Sequence, residues 1–489
     1  MTTRQTRDAG AAASPPPAGS ARPAPRTRRA RASAATTAPA RRGPTDLPFS
    51  FPDRSLVKAL AAEREEPDWL RAERLAAFAA YETLPLETNR LYTTYVDLRS
   101  ADLAGVSPYV RTATKSISAA AVPPGTSGVI EFREGGIVAL ALDGATAAAG
   151  VRLEPLGAAL RRDPDAVRAA LEGGRSLPAD DKLAQLARGF WSQGVRLAIP
   201  DGVRLERPIL LRWAVGRPGR ALVSRTLVSL GEGAEASIVE ELVPSPATDG
   251  DRQGFFAGTM EVSLGRAANL SIAGIQELPE SVVAFQHRTS LIGPGAQLRW
   301  ALAQLGGRLV RSRIDNRLEG DGGSVEQAEI VFGSGDQVFD LTSYTRHVGR
   351  DTTGNLLSKG VLQDAARTYM KWLITIEKSA VGGDSYLGEF GMNLSKKARS
   401  VAIPSLEIDQ PNVRRAAHSS SVGPIDEGQI FYLESRGVDR ETARRLIVLG
   451  FLEPVVARVP LEEAQERLRG LLDAKWGAAR GAARVGVAT

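Results

Sequence analysis

His418 lies in the stretch RAAHSSS and is one of three histidines in 489 residues, which makes it the first residue whose type and setting suit chemistry. A neutral imidazole binds borderline metals or moves a proton near neutral pH. Ser419, Ser420 and Ser421 follow it directly, but no GxSxG nucleophile elbow surrounds them, so a serine triad has little support. His287 and His347 are too distant in sequence to complete a local metal motif with His418, and an isolated histidine is more often a packed or surface residue than a ligand. A full site needs three or four ligands, and these are not supplied locally, so a metal held at His418 needs ligands brought from distant coils or from another chain.

Two carboxylate pairs stand out, Glu240 with Glu241 and Asp426 with Glu427. Adjacent strand residues point to opposite faces, which weakens the first as an acid and base pair; the second suits capping of a helix N-terminus. No GxxxxGK[ST] loop is present, so ATP hydrolysis is not expected of this chain. With no cysteine, thiolate nucleophiles, disulfides and cysteine-based zinc or iron-sulfur sites within the chain are excluded.

The elements that position these residues fall into three textures. From Asp53 to Leu84 the period is helical: Asp53 caps Leu56, Val57 and Leu60, and Pro67 opens a second helix with Leu70, Leu75 and Phe78 on one face. Further helices are expected around Pro164 to Gly173 and Asp180 to Gly189. Alternating apolar runs follow, including Met260, Val262 and Leu264, then Leu298, Trp300 and Leu302, then Ala328, Ile330 and Phe332. Turns of similar sequence recur between them, and their first glycines, Gly231, Gly265, Gly293 and Gly320, are separated by 34, 28 and 27 residues. That repeat favours a β-solenoid over a β-sandwich, because stacked coils give a reason for recurring corners.

Beyond Gly423 the pattern is helical again. Ile430, Leu433 and Phe431 form an apolar face ending before Gly437; Asp439 caps a helix stopping at Gly450; Pro460 opens another with Leu461, Ala464, Leu468 and Leu471 on one side. Such a unit reads either as a cap covering the solenoid end or as a docking surface.

The chain is long enough for two or three structural units, and 43% hydrophobic residues can bury a sizeable core. No apolar run approaches the roughly 20 residues needed to span a bilayer. Residues 1–45 carry nine arginines and one aspartate, a net +8 that leaves −2 for the rest of a chain whose formal charge is +6. This Ala/Pro/Arg-rich segment reads as a disordered tail, a solvated extension in preference to a binder of nucleic acid or acidic lipid or an organelle transit peptide. The folded part is nearly neutral, so a nucleic-acid partner is not expected, and a cytoplasmic location is expected, or an organelle stroma if the tail is a transit peptide.

From Phe190 onward the chain resembles the SufB/SufD family of iron-sulfur cluster assembly proteins. The resemblance rests on FWSQGVRLAIPDGVRLERPI, RTLVSLGEGAEASIVEE, SKGVLQDAARTYMKWLITI, NLSKKARSVAIPSLEI and AAHSSSVGPIDEGQIFYLESRGVDRETARRLIVLGFLEPV. It implies a mainly β fold with α-helical ends, a right-handed parallel β-helix core. The expected division is a tail over 1–45, a helical and mixed N-terminal domain over 46–189, the β-helix over 190–423 and a helical domain over 424–489. It further implies pairing with SufB through the β-helix and with the SufC ATPase within 424–489. SufB-type chains bear a cysteine near that pairing and SufD-type chains a histidine; His418 falls on the histidine, and the absence of cysteine favours the SufD type. Many relatives carry Cys-x-His, whereas Ala416 and Ala417 precede His418 here. The resemblance thus implies a non-catalytic scaffold that binds no cofactor alone, with His418 as a ligand to iron or to a cluster held transiently at the partner interface. Alternatives are a homodimer working without SufB and, from a different class, a polysaccharide-active β-helix enzyme.

Overall fold

The computed structural model describes Leu47, Phe49 and residues 51–110, 121–172, 177–246, 250–459 and 461–485; the basic segment 1–45 and the helix-opening Pro460 lie outside the described residues. The expected parallel β-solenoid with helices at both ends is present, in about eight coils. Each coil contributes one strand to each of two facing sheets. The first sheet runs through Gln193–Ile199, Arg220–Leu230, Gly254–Leu264, Val282–Ile292, Leu309–Leu318, Val338–His347 and Arg367–Ile376, ending on the short strands Arg399–Ala402 and Ser405–Ile408. The second runs through Ile209–Val215, Glu235–Pro244, Asn269–Gln276, Gln297–Gln304, Ser324–Gly333, Thr353–Leu362 and Asp384–Asn393, ending on Arg415–Pro424.

Register is in phase from coil to coil, so equivalent residues stack. One interior column of the first sheet is Leu230, Leu264, Ile292, Leu318, His347 and Ile376, all buried. At the N-terminal end the sheets finish in antiparallel strands, Gly136–Leu142 on Gly128–Arg133 and Arg152–Pro155 on Gln193–Ile199.

The recurring turns stack for a steric reason. A Cβ on Gly265 would lie 2.9 Å from the carbonyl carbon of Gly231, one on Gly293 2.6 Å from the Leu264 oxygen, and one on Gly320 2.0 Å from the Pro294 nitrogen. Gly349 continues the column against Gly320. Two residues on, each corner turns through positive φ, at Gly233, Ala267, Gly295, Gly322 and Asp351. Glycine at the first position therefore serves close approach, and the chirality of the corner is set at the third.

Both sheets are covered on their outer faces. The N-terminal unit packs Leu60, Leu70, Phe78, Leu186 and Phe190 onto Val223, Phe255, Val283 and Phe285 of the first sheet. Asp53 accepts from the Leu56 amide at 2.7 Å, as expected of a cap, and Asp181 caps Lys182–Phe190, accepting from Ala184 at 2.6 Å. The C-terminal helices lie on the outer face of the second sheet, not over the solenoid end: Val448, Leu452, Val455, Leu468, Leu472 and Trp476 pack on Val239, Ile275, Ala303, Ile330 and Phe332. Two local expectations are corrected. The helix Arg440–Val456 continues through Gly450 and accommodates Pro454, because its far half is buried against the sheet. Phe431 is not on the buried face with Ile430 but 72% exposed, about 100° around the helix from it. Ala328, Ile330 and Phe332 face these helices, whereas Trp300 and Leu302 face the interior.

Gly320→Ala is expected to destabilise the fold by about 3 kcal/mol through overpacking of the corner stack. Gly233→Ala, which meets no atom within 4 Å and pays only for its φ of 63°, should cost about 1 kcal/mol. Paired thermal or urea unfolding curves separate the two; equal losses would refute the stacking account.

Candidate functional site

The C-terminal end of the solenoid shows its interior. Arg415–Pro424 pairs on one side only, with Asp384–Asn393, and Ser405–Ile408 pairs only with the preceding coil of its sheet. His418 aligns with Leu387, Ser420 with Glu389 and Val422 with Gly391. Leu387 and Glu389 are fully buried, so His418 and Ser420 occupy the same inward-facing positions one rung further out, where nothing covers them. Ile408 and Val422 are 46% and 40% exposed at the same mouth. The strand is fixed at its start by Arg415, which donates to Asp384 at 2.7 Å and to Asn355 at 3.2 Å.

The other two histidines are elsewhere. His287 points outward from the first sheet beneath the N-terminal unit; its Nε2 lies 2.6 Å from Asp315 Oδ2 and its Nδ1 has no hydrogen-bond partner. Burial works against ionisation of Asp315, but Arg313 and His287 hold its carboxyl below the usual range. Arg313 bridges onward to Asp181 at 2.7 Å, tying the sheet to the N-terminal helices. His347 is internal, its Nδ1 at 2.8 Å from Thr352 Oγ1 and its Nε2 at 3.2 Å from Ser385 Oγ. Burial pushes its pKa down to about 4. The three histidines thus occupy an outer face, the interior and the open end, and among the described residues no group of three or more His, Asp or Glu side chains is arranged to hold a metal.

The carboxylate pairs behave as adjacent-residue geometry requires. Glu240 points inward and accepts from Arg288 at 2.6 Å; Glu241 points outward to Arg212 at 2.7 Å and to Arg467 of the C-terminal helix. Asp426 caps Glu427–Ser435 by accepting from the Gly428 amide at 2.8 Å.

A polar track runs along the interior. Arg288 also donates to Gln286, Gln286 to Gln304 at 2.9 Å, and Gln304 and Ser312 to Glu329 at 3.1 and 2.8 Å. Glu329, Ser358, Glu389 and Ser420 then share one register position on successive coils. Glu389 is the residue that sequence reasoning passed over. Both carboxyl oxygens are buried without a side-chain partner, and burial pushes its pKa up to about 9 while the backbone amides of Ile403 and Trp372 beside it pull it back. The signal was a glutamate between Leu387 and Gly391 at an interior position of the strand.

Comparison with known proteins places these features in context. The SufBD core domain of SUF-system iron-sulfur cluster assembly matches residues 214–451. The iron-sulfur cluster assembly protein SufD of Bacillus subtilis is 26% identical over 431 residues, covering 86% of this chain and 98% of that one. An iron-sulfur cluster assembly SufBD family protein of Mycobacterium tuberculosis is 31% identical over 311 residues, 62% of this chain and 75% of the relative. A SufBD family protein of Mycobacterium leprae is 27% identical over 303 residues, 60% and 75% of the two chains.

His347 makes stability depend on pH in a definite sense. Its folded pKa of about 4 lies below the unfolded 6.5, so the unfolded chain binds more protons between those values and stability falls as pH drops through that window. The loss approaches about 3 kcal/mol near pH 4. His347→Gln should flatten that part of the acid limb in a Tm-against-pH series; an unchanged slope would argue against a neutral buried imidazole.

Proposed function

The chain belongs to the SufBD family of iron-sulfur cluster assembly proteins, and from that membership we propose that it is a SufD-type scaffold subunit working with a cysteine-bearing SufB-type chain and a SufC-type ATPase. The observation that carries this reading is the open last coil with His418 on it. An inward-facing imidazole on an unpaired rung is half of a site, and a chain without cysteine needs its thiolate from elsewhere. A partner strand added to Arg415–Pro424 would supply both the missing backbone bonds and the missing ligands. The cluster, or the iron from which it is built, is cargo of the joint site. His418 offers a borderline nitrogen ligand beside the partner's sulfur, a combination suited to iron.

ATPase docking is assigned to the helices after Gly423. Phe431, Tyr432 and Leu446 are 72%, 57% and 47% exposed there, an unusual concentration of large apolar side chains at the surface. The same helical unit is anchored to the solenoid by polar contacts: Lys359 donates to the Phe451 carbonyl at 2.7 Å, Lys475 to Gln337 at 2.8 Å, and Arg467 reaches Glu241 and Glu277. Movement imposed on the helices would therefore be felt by the coils beneath them. No helix among the described residues is long and apolar enough to cross a membrane.

His418→Ala in the reconstituted three-component complex should leave assembly intact and cut cluster yield, read by visible absorption after anaerobic reconstitution, to about a tenth of wild type. Wild-type yield from an intact complex would remove the ligand role. Phe431→Asp should weaken ATPase binding by about 2 kcal/mol, roughly thirtyfold in Kd by calorimetry, with unchanged pairing to the SufB-type chain. Unaltered affinity would move the docking surface elsewhere.

A further inference from the structure

We propose that Glu389 is a second protein ligand of the His418 site, so that this chain presents an imidazole and a carboxylate together to a divalent metal ion of the ferrous class. The inference rests on the reading of His418 given above. Leu387 and Glu389 are two residues apart on one strand and face inward, and His418 is the register partner of Leu387 on the next. With strands about 4.8 Å apart and a rise of about 3.3 Å per residue, the Glu389 and His418 Cα atoms are about 8 Å apart on one face, a span two long side chains close between them. Directly above Glu389 stands Ser420, a short side chain that leaves the path between the two groups narrow but unblocked by bulk.

The carboxyl has no side-chain partner. Glu240 has Arg288, and Glu329 has Ser312 and Gln304, whereas Glu389 has only the backbone amides of Ile403 and Trp372 beside it. A fully buried acid of this kind destabilises the coil that holds it. Its position, in the last rung that is covered and beside the first that is not, is where a group would be kept for a ligand that arrives when the end is closed. Imidazole with carboxylate suits Fe(II) and its spectroscopic surrogate Co(II), and two ligands from this chain leave coordination positions for the partner's sulfur.

The test is an anaerobic Co(II) titration of the full chain in complex with its SufB-type and SufC-type partners, read by the visible ligand-field bands, alongside thermal unfolding of the chain alone. Glu389→Gln should weaken Co(II) binding about tenfold or more and leave Tm equal or higher, with Glu389→Asp intermediate in affinity. Wild-type Co(II) affinity in Glu389→Gln, with affinity lost in His418→Ala, overturns this proposal and spares the parent reading. Wild-type affinity in His418→Ala overturns the parent reading itself. A marked fall in Tm with Glu389→Gln assigns the carboxyl to the fold and also overturns the proposal.

Discussion

Every coil of this protein depends on the backbone ladder to the coil beside it. Parallel strands cannot be closed by a tight hairpin, so the amides and carbonyls of one coil are satisfied only by neighbours a whole circuit away in sequence. In-phase register follows from that ladder, and so does the stacking of equivalent side chains into columns. The corner glycines are the same constraint expressed as sterics, since stacked coils bring successive corners closer than a Cβ permits. The ladder must also end somewhere. At the N-terminal side it ends in antiparallel strands of the same chain; at the other it ends in Arg415–Pro424, with one side of its backbone unpaired.

Burial on both faces shapes the chemistry of the sheets. The strand Val282–Ile292 is buried along almost its whole length although it contains Gln286, His287, Arg288, Thr289 and Ser290. Outward-pointing charges are tied to the N-terminal unit, as in Arg225 with Glu73 at 3.5 Å and Arg311 with Glu87 at 2.9 Å. Removing one member of such a pair leaves an uncompensated buried charge, at a cost of about 3–5 kcal/mol. These pairs therefore fix where the helical cover sits more than they add to stability. Inward-pointing polar groups follow a separate rule and bond to one another along the axis from Glu240 as far as Glu329, beyond which Ser358 and Glu389 share the register position without bonding to each other.

Much of this was legible in the chain itself. The near-regular recurrence of Gly231, Gly265, Gly293 and Gly320 reports a spatial requirement and so survives as a sequence pattern. Asp53, Asp426 and Asp439 were readable as caps because an N-terminal carboxylate is a local device, needing only the next few amides. The inside of the solenoid was not readable. When both faces are covered, period-two alternation loses its meaning, and Ala328, Ile330 and Phe332 look the same whether they meet the interior or a helix. The same ambiguity hid the placement of the C-terminal helices, and tertiary burial overrode the stop expected at Gly450. His418 was identifiable by type and setting, but its inward direction on an uncovered rung belongs to register, which one sequence does not display.

The two helical covers sit at opposite ends of the chain, and this sets an order of events during synthesis. The residues that shield the first sheet, such as Phe78 and Phe190, emerge before the strands they cover. Those that shield the second, out to Trp476, emerge after nearly all of it. At ribosomal rates of about 5–20 residues per second, the apolar face that includes Ile275, Ile330 and Phe332 waits roughly 7–30 s after Phe332 is made before Trp476 exists. A nascent chain of this architecture thus carries a naked hydrophobic wall on one side only, and its need for chaperone protection is greatest just before the helices out to Trp476 are made.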